Sequence, residues 1–308
     1  MVAALGAAGA LLCLAGSALP AVDAVRPLPA LQAAIVYPHH RTGRVPGVLV
    51  LGGAEGGDTW ASAVARRLAE DGYAALPEAY FHAPGVQDQL QLVPIERLKL
   101  GIDRLVSDPR VDPRRIAVLG LSKGAEAALV LASHDRRIGA VVAGSPSDVV
   151  WQGIDRKGGA VGSSWSIGGR ALPFVPFAAC DDCRSLGALY VRSRQASGAI
   201  PAAAIPVERI RGPILLLSSE QDAVWPSDAM ATSLELRLKS HHFRYPVVRR
   251  RYPAGGHFTL GPIAEQDAAS DAAFGGGTAD GVVAARRESW TRTLSFLADA
   301  FHPGAPRR

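Results

Sequence analysis

The sequence has few cysteines, and it lacks the repeats and long apolar runs that define fibrous and membrane proteins. Three cysteines in 308 residues are too few to build a disulfide scaffold. Charged residues make up only 20% of the chain and apolar types 48%, which excludes an extended disordered protein. Collagen repeats, heptads and a series of long apolar spans are all missing. The composition therefore predicts a globular protein with one large core or two small ones.

Concentrated positive charge is also missing. Lys and Arg number 33 against 28 Asp and Glu, so the formal net charge is +5, and these residues are spread along the chain. Proteins that bind nucleic acids usually gather their basic residues on one face or one segment. The sequence therefore predicts no nucleic-acid partner.

The first charged side chain in the sequence is Asp23, and the preceding segment is rich in Ala, Leu and Gly. Val22 and Ala24 stand at the third and first positions before a possible signal-peptidase cleavage point. We therefore predict that residues 1–24 form an export signal and that the protein is periplasmic or secreted. Because no Lys or Arg precedes the apolar stretch, two alternatives stay open. One is a retained anchor that associates with the membrane, and the other is a buried first helix of a cytoplasmic protein.

Two of the three cysteines lie close together in a CDDC motif, at Cys180 and Cys183. Export would allow a local disulfide between them. A metal site is less favoured because no second ligand pair with matching spacing is present. A redox motif should follow a strand and open a helix, whereas this one lies in a stretch rich in Gly and Pro. We interpret the pair as a structural clip or as two loop thiols.

The rest of the chain alternates between short apolar runs and amphipathic stretches. The run VPGVLVLGG at 45–53 is apolar throughout and ends in glycines, as is typical of a strand buried on both faces. Strands are predicted in this way at 45–53, 73–81, 115–122, 138–146, 212–220 and 246–253. Helices are predicted at 59–70, 95–106, 124–133, 227–240 and about 286–301. This alternation predicts an α/β fold with a doubly wound, mostly parallel sheet covered by helices on both faces.

Two stretches interrupt the alternation. Residues 151–211, which include GGAVGSSWSIGGR and ALPFVPF, show no long periodic segment between two predicted strands. Because a long irregular stretch inside a compact domain is typically a functional lid, we predict a cap inserted at 151–211 within one domain at 25–308. The second stretch, 261–281, contains FGGGTADG, and we expect it to be irregular and mobile.

The pentapeptide GLSKG at 120–124 has the pattern Gly-X-Ser-X-Gly. An apolar strand precedes it and a helix follows, which is the context that a nucleophile elbow requires. The glycines relieve clashes in the tight turn, and the helix N-terminus helps to stabilise an anion there. We therefore predict that Ser122 is a nucleophile, with a serine that merely caps the helix as the alternative.

A serine nucleophile needs a base, and the base needs a carboxylate to orient it. In this type of fold the chain order is nucleophile, acid, histidine. His257 lies in a glycine-flanked loop after the strand predicted at 246–253, and Asp222 lies in the loop after the strand predicted at 212–220. Because these loops leave the same edge of the sheet as Ser122, we predict a triad of Ser122, Asp222 and His257.

Other carboxylates compete with Asp222 for the role of the acid. Asp148 also follows a predicted strand, and Glu220 precedes Asp222 by two residues. Asp222 ranks first because a strand followed by a loop Asp and a Trp-Pro pair fits a tight turn best. Glu126 and Asp135, by contrast, are expected to be solvated charges on a helix.

A tetrahedral intermediate carries an oxyanion that needs hydrogen-bond donors. One donor should be the backbone N–H of Lys123, directly after the nucleophile. The other should be the backbone N–H of Ala54, in the glycine-rich turn LGGAEGG at 51–57. Three tryptophans either line an acyl pocket or pack in the core: Trp151, Trp165 and Trp225.

Several segments resemble one known family. They are AVLGLSKGAEAALVLA, AVVAGSPSDVVWQG, GSSWSIGGRALPFVPF, PILLLSSEQDAVWPSDAMA and YPAGGHF, and the likeness spans roughly residues 45–302. The family is the C-terminal domain of acyl-CoA thioester hydrolases and bile acid-CoA:amino acid N-acyltransferases. The resemblance implies an α/β-hydrolase fold that acts on thioesters of long-chain acyl groups, with a triad matching Ser122, Asp222 and His257. Serine at the nucleophile position implies hydrolysis, since the acyl-transferring members carry cysteine there.

The sequence therefore predicts a serine thioesterase or esterase whose partner is a small-molecule acyl thioester or ester. The acyl group passes to Ser122, and water activated by His257 releases the acid, so no metal or organic cofactor is required. One alternative is an N-acyltransferase that uses an amino-acid amine as acceptor. Another is a non-catalytic exported binding protein on a hydrolase scaffold.

Overall fold

A computed structural model describes residues 33–39, 43–155, 157, 159, 161–261 and 267–301 of the chain. The predicted export signal at 1–24 lies outside these residues. None of the helices in the described ranges has both the length and the apolar character that crossing a bilayer requires.

The centre of the molecule is a six-stranded sheet in which every neighbouring pair of strands is parallel. Its strands are β1 (Val45–Leu51), β2 (Ala74–Glu78), β4 (Val111–Leu121), β5 (Ala140–Gly144), β8 (Ile214–Ser219) and β9 (Val247–Tyr252). Their order across the sheet is β2-β1-β4-β5-β8-β9. The predicted doubly wound parallel sheet is therefore confirmed. The predicted strands are all present, with ends trimmed or extended by a few residues.

Helices cover both faces of this sheet. They are α1 (Thr59–Glu70), α2 (Ile95–Ser107), α3 (Lys123–His134), α6 (Ser227–Ser240) and α8 (Ala279–Phe301). Because side chains alternate along a strand, β1 sends Leu49 and Leu51 into one core, with α2, α3 and α6, and Val48 and Val50 into another, with α1 and α8. This double burial explains why the inner strands β1, β5 and β8 are mainly apolar runs in the sequence, whereas β9 at the edge of the sheet carries three arginines.

The segment between β5 and β8 is more regular than the sequence suggested. It contains β6 (Trp165–Ile167), β7 (Arg170–Ala171), α4 (Leu186–Ala196), α5 (Ile200–Ala203) and a 3₁₀ turn (Val207–Arg209). β6 and β7 form a small second sheet with β3 (Val93–Pro94). The missed helix α4 buries only Tyr190 and Ser193, so its sequence has no apolar stripe that would have revealed it. We call residues 151–211 the insertion. Its assignment as a cap stays a prediction.

The second stretch expected to be irregular is also helical where it is described. It contains α7 (Ala268–Gly275), and α8 begins at Ala279 rather than near Arg286. The expectation of an irregular segment is therefore wrong for residues 267–281. α7 buries only Ala268 and Gly275, so it too lacks a periodic apolar signal.

Candidate active site

Ser122 lies in a strained turn between β4 and α3. Its φ is 57° and its ψ is −122°, a left-handed conformation that non-glycine residues rarely adopt. The flanking glycines are required by close packing. A Cβ at Gly120 would lie 2.1 Å from the Gly124 carbonyl oxygen, and a Cβ at Gly124 would lie 2.2 Å from the Leu51 carbonyl oxygen. The turn thus presses the start of α3 against the end of β1 and leaves Ser122 at the edge of the sheet.

Asp222 and His257 meet in the loops that follow β8 and β9. His257 Nδ1 lies 2.9 Å from Oδ2 and 3.0 Å from Oδ1 of Asp222, and both side chains are almost fully buried. The backbone N–H groups of Val224 and Trp225 also donate to Asp222 Oδ1, at 3.0 and 3.2 Å. The carboxylate is therefore fixed by its own loop, and it faces the imidazole nitrogen that an orienting acid would hold.

The competing carboxylates are bonded elsewhere. Asp148 accepts two hydrogen bonds from the guanidinium of Arg194, at 2.6 and 3.0 Å. Glu220 is paired with Arg251 at 3.0 Å on the exposed side of β9. Of the three acids considered from the sequence, the structure brings only Asp222 to His257.

A cavity of about 550 Å³ is lined by the predicted site residues Ala54, Ser122, Lys123 and His257. The rest of its lining is mainly apolar, and the insertion supplies much of one wall through Ile154, Phe177, Leu186, Leu189 and Tyr190. Trp225, Phe258 and Phe274 complete the aromatic part of the lining. A site of this size with few polar groups suits a small molecule that carries an apolar group.

The loop that contains Ala54 is held by a buried tyrosine that the sequence analysis did not single out. The hydroxyl of Tyr80 donates to the Gly52 carbonyl oxygen at 2.7 Å. Burial raises the pKa of Tyr80 well above its usual value, so the hydroxyl stays protonated and can keep donating. On the other side of the loop, Glu55 Oε1 accepts from the Gly53 N–H at 2.9 Å. The position of Tyr80, just after β2, was the available signal, because polar side chains at strand ends gather at this edge.

The prediction that Glu126 is a solvated charge on a helix is wrong. Glu126 is fully buried, and its Oε2 accepts from Lys123 Nζ at 2.8 Å. Its Oε1 accepts from the backbone N–H of Trp151 at 3.0 Å and from Trp165 Nε1 at 2.7 Å. Lys123 Nζ also donates to Ser164 Oγ at 2.8 Å. The first turn of α3 is thereby bonded to three residues of the insertion. We call this set of contacts the ion-pair network.

Burial favours the neutral form of each partner in the ion-pair network. It raises the pKa of Glu126 and lowers the pKa of Lys123, while the attraction between the two groups opposes both shifts.

The prediction that Asp135 is a solvated helix charge is also wrong. Asp135 is buried at the end of α3, where it accepts from Arg137 Nε at 2.9 Å. Helix periodicity does not reveal the burial of either acid, since the segments that cover them lie outside α3.

The three tryptophans have different surroundings. Trp225 lines the cavity, and its ring stands edge-on to the His257 imidazole with centroids 5.7 Å apart. Trp165 is buried against Tyr80, with ring centroids 5.5 Å apart. Trp151 is buried beside Tyr190, itself a cavity residue, at 4.7 Å. Trp225 is therefore part of the lining, whereas Trp151 and Trp165 support it from behind.

Cys180 and Cys183 are joined by a disulfide in the loop between two residues that line the cavity, Phe177 and Leu186. Among the described residues, they and Asp182 are the one group whose ligand atoms lie close enough to hold a metal ion. The disulfide engages both sulfur atoms, which therefore do not act as thiolate ligands. The local disulfide allowed by the sequence spacing is present.

Comparison with known proteins gives consistent results. The family described as BAAT / acyl-CoA thioester hydrolase C terminal matches residues 93–303, and the dienelactone hydrolase family matches residues 31–150. The peroxisomal succinyl-coenzyme A thioesterase of Mus musculus is 24% identical over 269 residues, which cover 83% of this chain and 60% of that protein. The mitochondrial acyl-coenzyme A thioesterase 2 of Mus musculus is 28% identical over 222 residues, which cover 71% of this chain and 46% of that protein.

Solved structures give the same fold. A dienelactone hydrolase-like promiscuous phosphotriesterase from metagenomic libraries superposes with a TM-score of 0.53 and 18% identity, covering 86% of this chain and 90% of that one. The curated relatives are longer, and this chain spans about half of their length. The family match covers most of the chain and confirms the resemblance seen in the sequence. The protein therefore belongs to the BAAT / acyl-CoA thioester hydrolase C-terminal family and has an α/β-hydrolase fold.

Proposed function

We propose that this protein is a serine hydrolase that cleaves acyl thioesters or related carboxylic esters through an acyl-enzyme on Ser122. The contact of 2.9 Å between His257 and the buried Asp222, together with a cavity lined by both His257 and Ser122, carries this proposal. A buried carboxylate–imidazole pair beside a serine elbow is the arrangement that turns a weak hydroxyl nucleophile into an effective one.

In the first half of the proposed reaction, Ser122 Oγ attacks the acyl carbonyl carbon while His257 takes the hydroxyl proton. The carbonyl oxygen becomes an oxyanion, which the backbone N–H groups of Lys123 and Ala54 stabilise. Asp222 stabilises the imidazolium formed on His257. The intermediate then collapses: the bond to the leaving thiol or alcohol breaks, His257 returns its proton to the leaving group, and the acyl group remains on Ser122.

In the second half, water replaces the leaving group. His257 takes one proton from the water as its oxygen attacks the acyl carbon, and the same two N–H groups hold the new oxyanion. The bond to Ser122 breaks, the proton returns to Ser122 Oγ, and a carboxylic acid leaves. These steps use side chains and backbone N–H groups of the chain and water, and they require no metal or organic cofactor.

The lining of the cavity supports an apolar acyl group as the part of the substrate bound beside Ser122. Five aromatic side chains face this space: Phe177, Tyr190, Trp225, Phe258 and Phe274. Fully burying one apolar side-chain-sized group from water contributes on the order of 2 kcal/mol, so the acyl group would add favourably to binding. The names of the curated relatives support a thioester as the reacting bond.

We also propose that the protein is exported, with residues 1–24 as the signal. The disulfide between Cys180 and Cys183 supports this, because such bonds persist mainly in oxidising compartments. Mass spectrometry of the protein purified from its source should find an N-terminus after Ala24. An intact N-terminus on protein recovered from the cytoplasm would contradict export and leave the enzymatic proposal untouched.

Labelling with a fluorophosphonate tests the enzymatic proposal directly. The wild-type protein should be labelled at Ser122 and should hydrolyse at least one member of a matched series of acyl-CoA thioesters and oxygen esters of varied chain length. Ser122→Ala should lose both labelling and turnover while its circular dichroism spectrum is unchanged. A folded wild-type protein that is neither labelled nor active would support a binding protein instead. Formation of an N-acyl product when glycine is added would support acyl transfer.

A further inference from the structure

We propose that residues 275–277, the glycine turn between α7 and α8, form a positioning element that sets the separation of Asp222 and His257. This inference rests on the proposed function, because it assigns the turn a role in aligning that pair. The turn belongs to the stretch that the sequence suggested would be irregular. Its described residues instead lie between the two loops that carry the acid and the base.

One carbonyl group joins the two loops. The oxygen of Gly275 accepts from the backbone N–H of His257 at 2.8 Å and from the backbone N–H of Ala223, directly after Asp222, at 2.9 Å. A carbonyl oxygen has two lone pairs, and here each serves one loop. The peptide groups next to the acid and the base are therefore fixed to a common point.

The fit between the turn and the loops leaves no room for side chains. A Cβ at Gly276 would lie 2.0 Å from the Gln221 carbonyl oxygen, and a Cβ at Gly277 would lie 2.3 Å from the Ala254 carbonyl oxygen. From the opposite side, a Cβ at Gly256 would lie 2.0 Å from the Gly276 carbonyl oxygen. Backbone therefore packs against backbone on both sides, and this packing sets how far apart the loops stand.

The strands alone do not fix this separation. The pairing of β8 with β9 ends at Ser219 and Tyr252, several residues before the acid and the base. Beyond that point, Gly275 bridges the peptide groups next to the acid and the base. Ser145 adds a second bridge, since its Oγ donates to the His257 carbonyl oxygen and its own carbonyl oxygen accepts from Trp225 Nε1 at 3.2 Å. Additional bonds anchor the turn itself, from the Gly276 N–H to the Ala272 carbonyl oxygen at 2.9 Å and from the Thr278 N–H to the Ala254 carbonyl oxygen at 3.1 Å.

The turn also lies next to the substrate cavity. Phe274, the residue before Gly275, lines the cavity and is 61% exposed. The chain thus passes from the cavity wall to the shared carbonyl within one residue. Since a misplacement of about 1 Å can lower turnover roughly 100-fold, even a small displacement of this turn should be visible in kinetics.

Gly276→Ala tests the inference, with Gly43→Ala as the matched control. The two glycines have nearly the same φ, 82° and 83°, but nothing lies within 4 Å of a Cβ at Gly43. Gly43→Ala therefore reports the effect of a positive φ in open space, whereas alanine at Gly276, where ψ is −177°, also pushes against the acid loop. Gly275→Ala is a milder second variant, since its Cβ would meet the His257 Cβ at 3.1 Å and the Phe258 ring at 2.9 Å.

The measurements are melting temperature, rate of fluorophosphonate labelling, and kcat/KM as a function of pH. Gly276→Ala should lower the plateau of kcat/KM at least 10-fold and slow labelling in proportion. The acid limb, which is the fall of kcat/KM at low pH, should move to lower pH. The reason is that an imidazolium farther from a carboxylate is less stabilised. The described titratable groups that bond to His257 or line the cavity with it, and so also shape this limb, are Asp222, Glu55, Lys123 and Tyr190.

The controls separate the possible outcomes. Gly43→Ala should keep the wild-type plateau and acid limb, whatever its melting temperature. If Gly276→Ala is unstable, Gly275→Ala should still move the acid limb while the protein remains folded. An unmoved acid limb in a folded variant, with kcat/KM lowered no more than in Gly43→Ala, would overturn the inference. Failure of the proposed function would look different, since the wild-type protein would then be neither labelled nor active.

Discussion

The insertion at 151–211 and the stretch at 267–281 look alike in the sequence but hold the candidate site by different chemistry. The insertion reaches the nucleophile side through side chains, with Trp165 and Ser164 bonded to the buried Glu126 and Lys123. The second stretch reaches the acid–base side through backbone, with one carbonyl shared by two loops and glycines packed against peptide groups. Each half of the site is thus fixed by a segment outside the regular fold.

This difference predicts different responses to substitution. The charged groups of the ion-pair network, Lys123 and Glu126, are buried. Removing one of them leaves the other charge buried without a partner and strongly destabilises the fold. The glycine turn carries no charge, so a change there acts through clashes between backbone groups and through the separation of the two loops. Substitutions in the ion-pair network should therefore appear mainly in unfolding experiments, whereas those in the glycine turn should also appear in the kinetics.

Among substitutions that keep the nucleophile, the largest kinetic effect is expected from Asp222→Asn, which removes the acid and keeps the loop. The asparagine oxygen can still accept from the N–H groups of Val224 and Trp225, so folding should be intact. Turnover should fall on the order of 10⁴-fold, because an amide holds the imidazole in the wrong tautomer. Asp148→Asn is the control and should keep turnover close to wild type. Loss of activity in the Asp148 variant alone would reverse the assignment of the acid.

The largest effect on stability is expected from Glu126→Gln. Its amide oxygen can still accept from Trp151 and Trp165, but Lys123 is left as a buried, uncompensated cation. Urea unfolding at neutral pH should show a loss of about 3–5 kcal/mol. Adding Lys123→Met should recover part of that loss, since the double variant has no buried charge. If the double variant were the least stable of the three, the two groups would not act as a pair.

A buried acid outside both segments gives a third test. Glu78, at the end of β2, is bonded to Arg97 at 2.9 Å, and burial raises its pKa to about 7 against the opposing effect of Arg97. The folded protein therefore holds a proton that the unfolded chain releases near its ordinary pKa. This contribution to stability is fully present at low pH and is lost as pH rises through about 7. The loss amounts to about 3 kcal/mol at most.

Urea unfolding of the wild-type protein and Glu78→Gln, measured between pH 5 and pH 8, checks this expectation. Stability should decrease with rising pH more steeply in the wild-type protein than in the variant. Equal slopes in the two proteins would show that Glu78 is ionised throughout this range. The comparison also isolates Glu78 from Glu126, which is present in both proteins.

The smallest effect is expected from Tyr80→Phe, which removes one hydrogen bond to the loop of Ala54. The Gly52 carbonyl oxygen loses its 2.7 Å donor, at a cost of about 1 kcal/mol. If that loop supplies an oxyanion donor, kcat should fall several-fold while KM changes little. Tyr37→Phe is the control, because Tyr37 bonds to Asp108 away from the cavity. A similar fall in kcat in both variants would point to a general loss of stability.

The two halves of the site also differ in how well the sequence predicts them. The strands and the Ser122 turn were predicted because their signals are local: continuous apolar runs, and a serine between glycines. His257 and Asp222 were placed after adjacent strands by the rule that parallel strands end at one edge, and the structure brings them together. Their roles in the reaction stay predictions until Ser122 labelling and the Asp222 variant are measured.

What the sequence did not reveal is non-local. Glu126 has the spacing of an ordinary helix charge, and its partners Trp151 and Trp165 lie 25 and 39 residues away in the chain. The helices α4 and α7 bury too few side chains to produce a periodic pattern. A glycine-rich run such as FGGGTADG predicts flexibility from composition alone. Here the glycines instead allow backbone to pack tightly against backbone.

The sharing of the Gly275 carbonyl between two loops has a consequence for redesign. Lengthening either loop by one residue would disengage it from an acceptor that the other loop still needs, so neither can be altered independently. The wall formed by Leu186 and Leu189 meets the acid loop through Gly187, whose N–H donates to the Ala223 carbonyl oxygen at 3.0 Å, so the two leucines can be varied while Gly187 is kept. Libraries aimed at new acyl groups should therefore diversify these leucines and keep the length of the chain from Tyr252 to His257 and from Ser219 to Val224 unchanged.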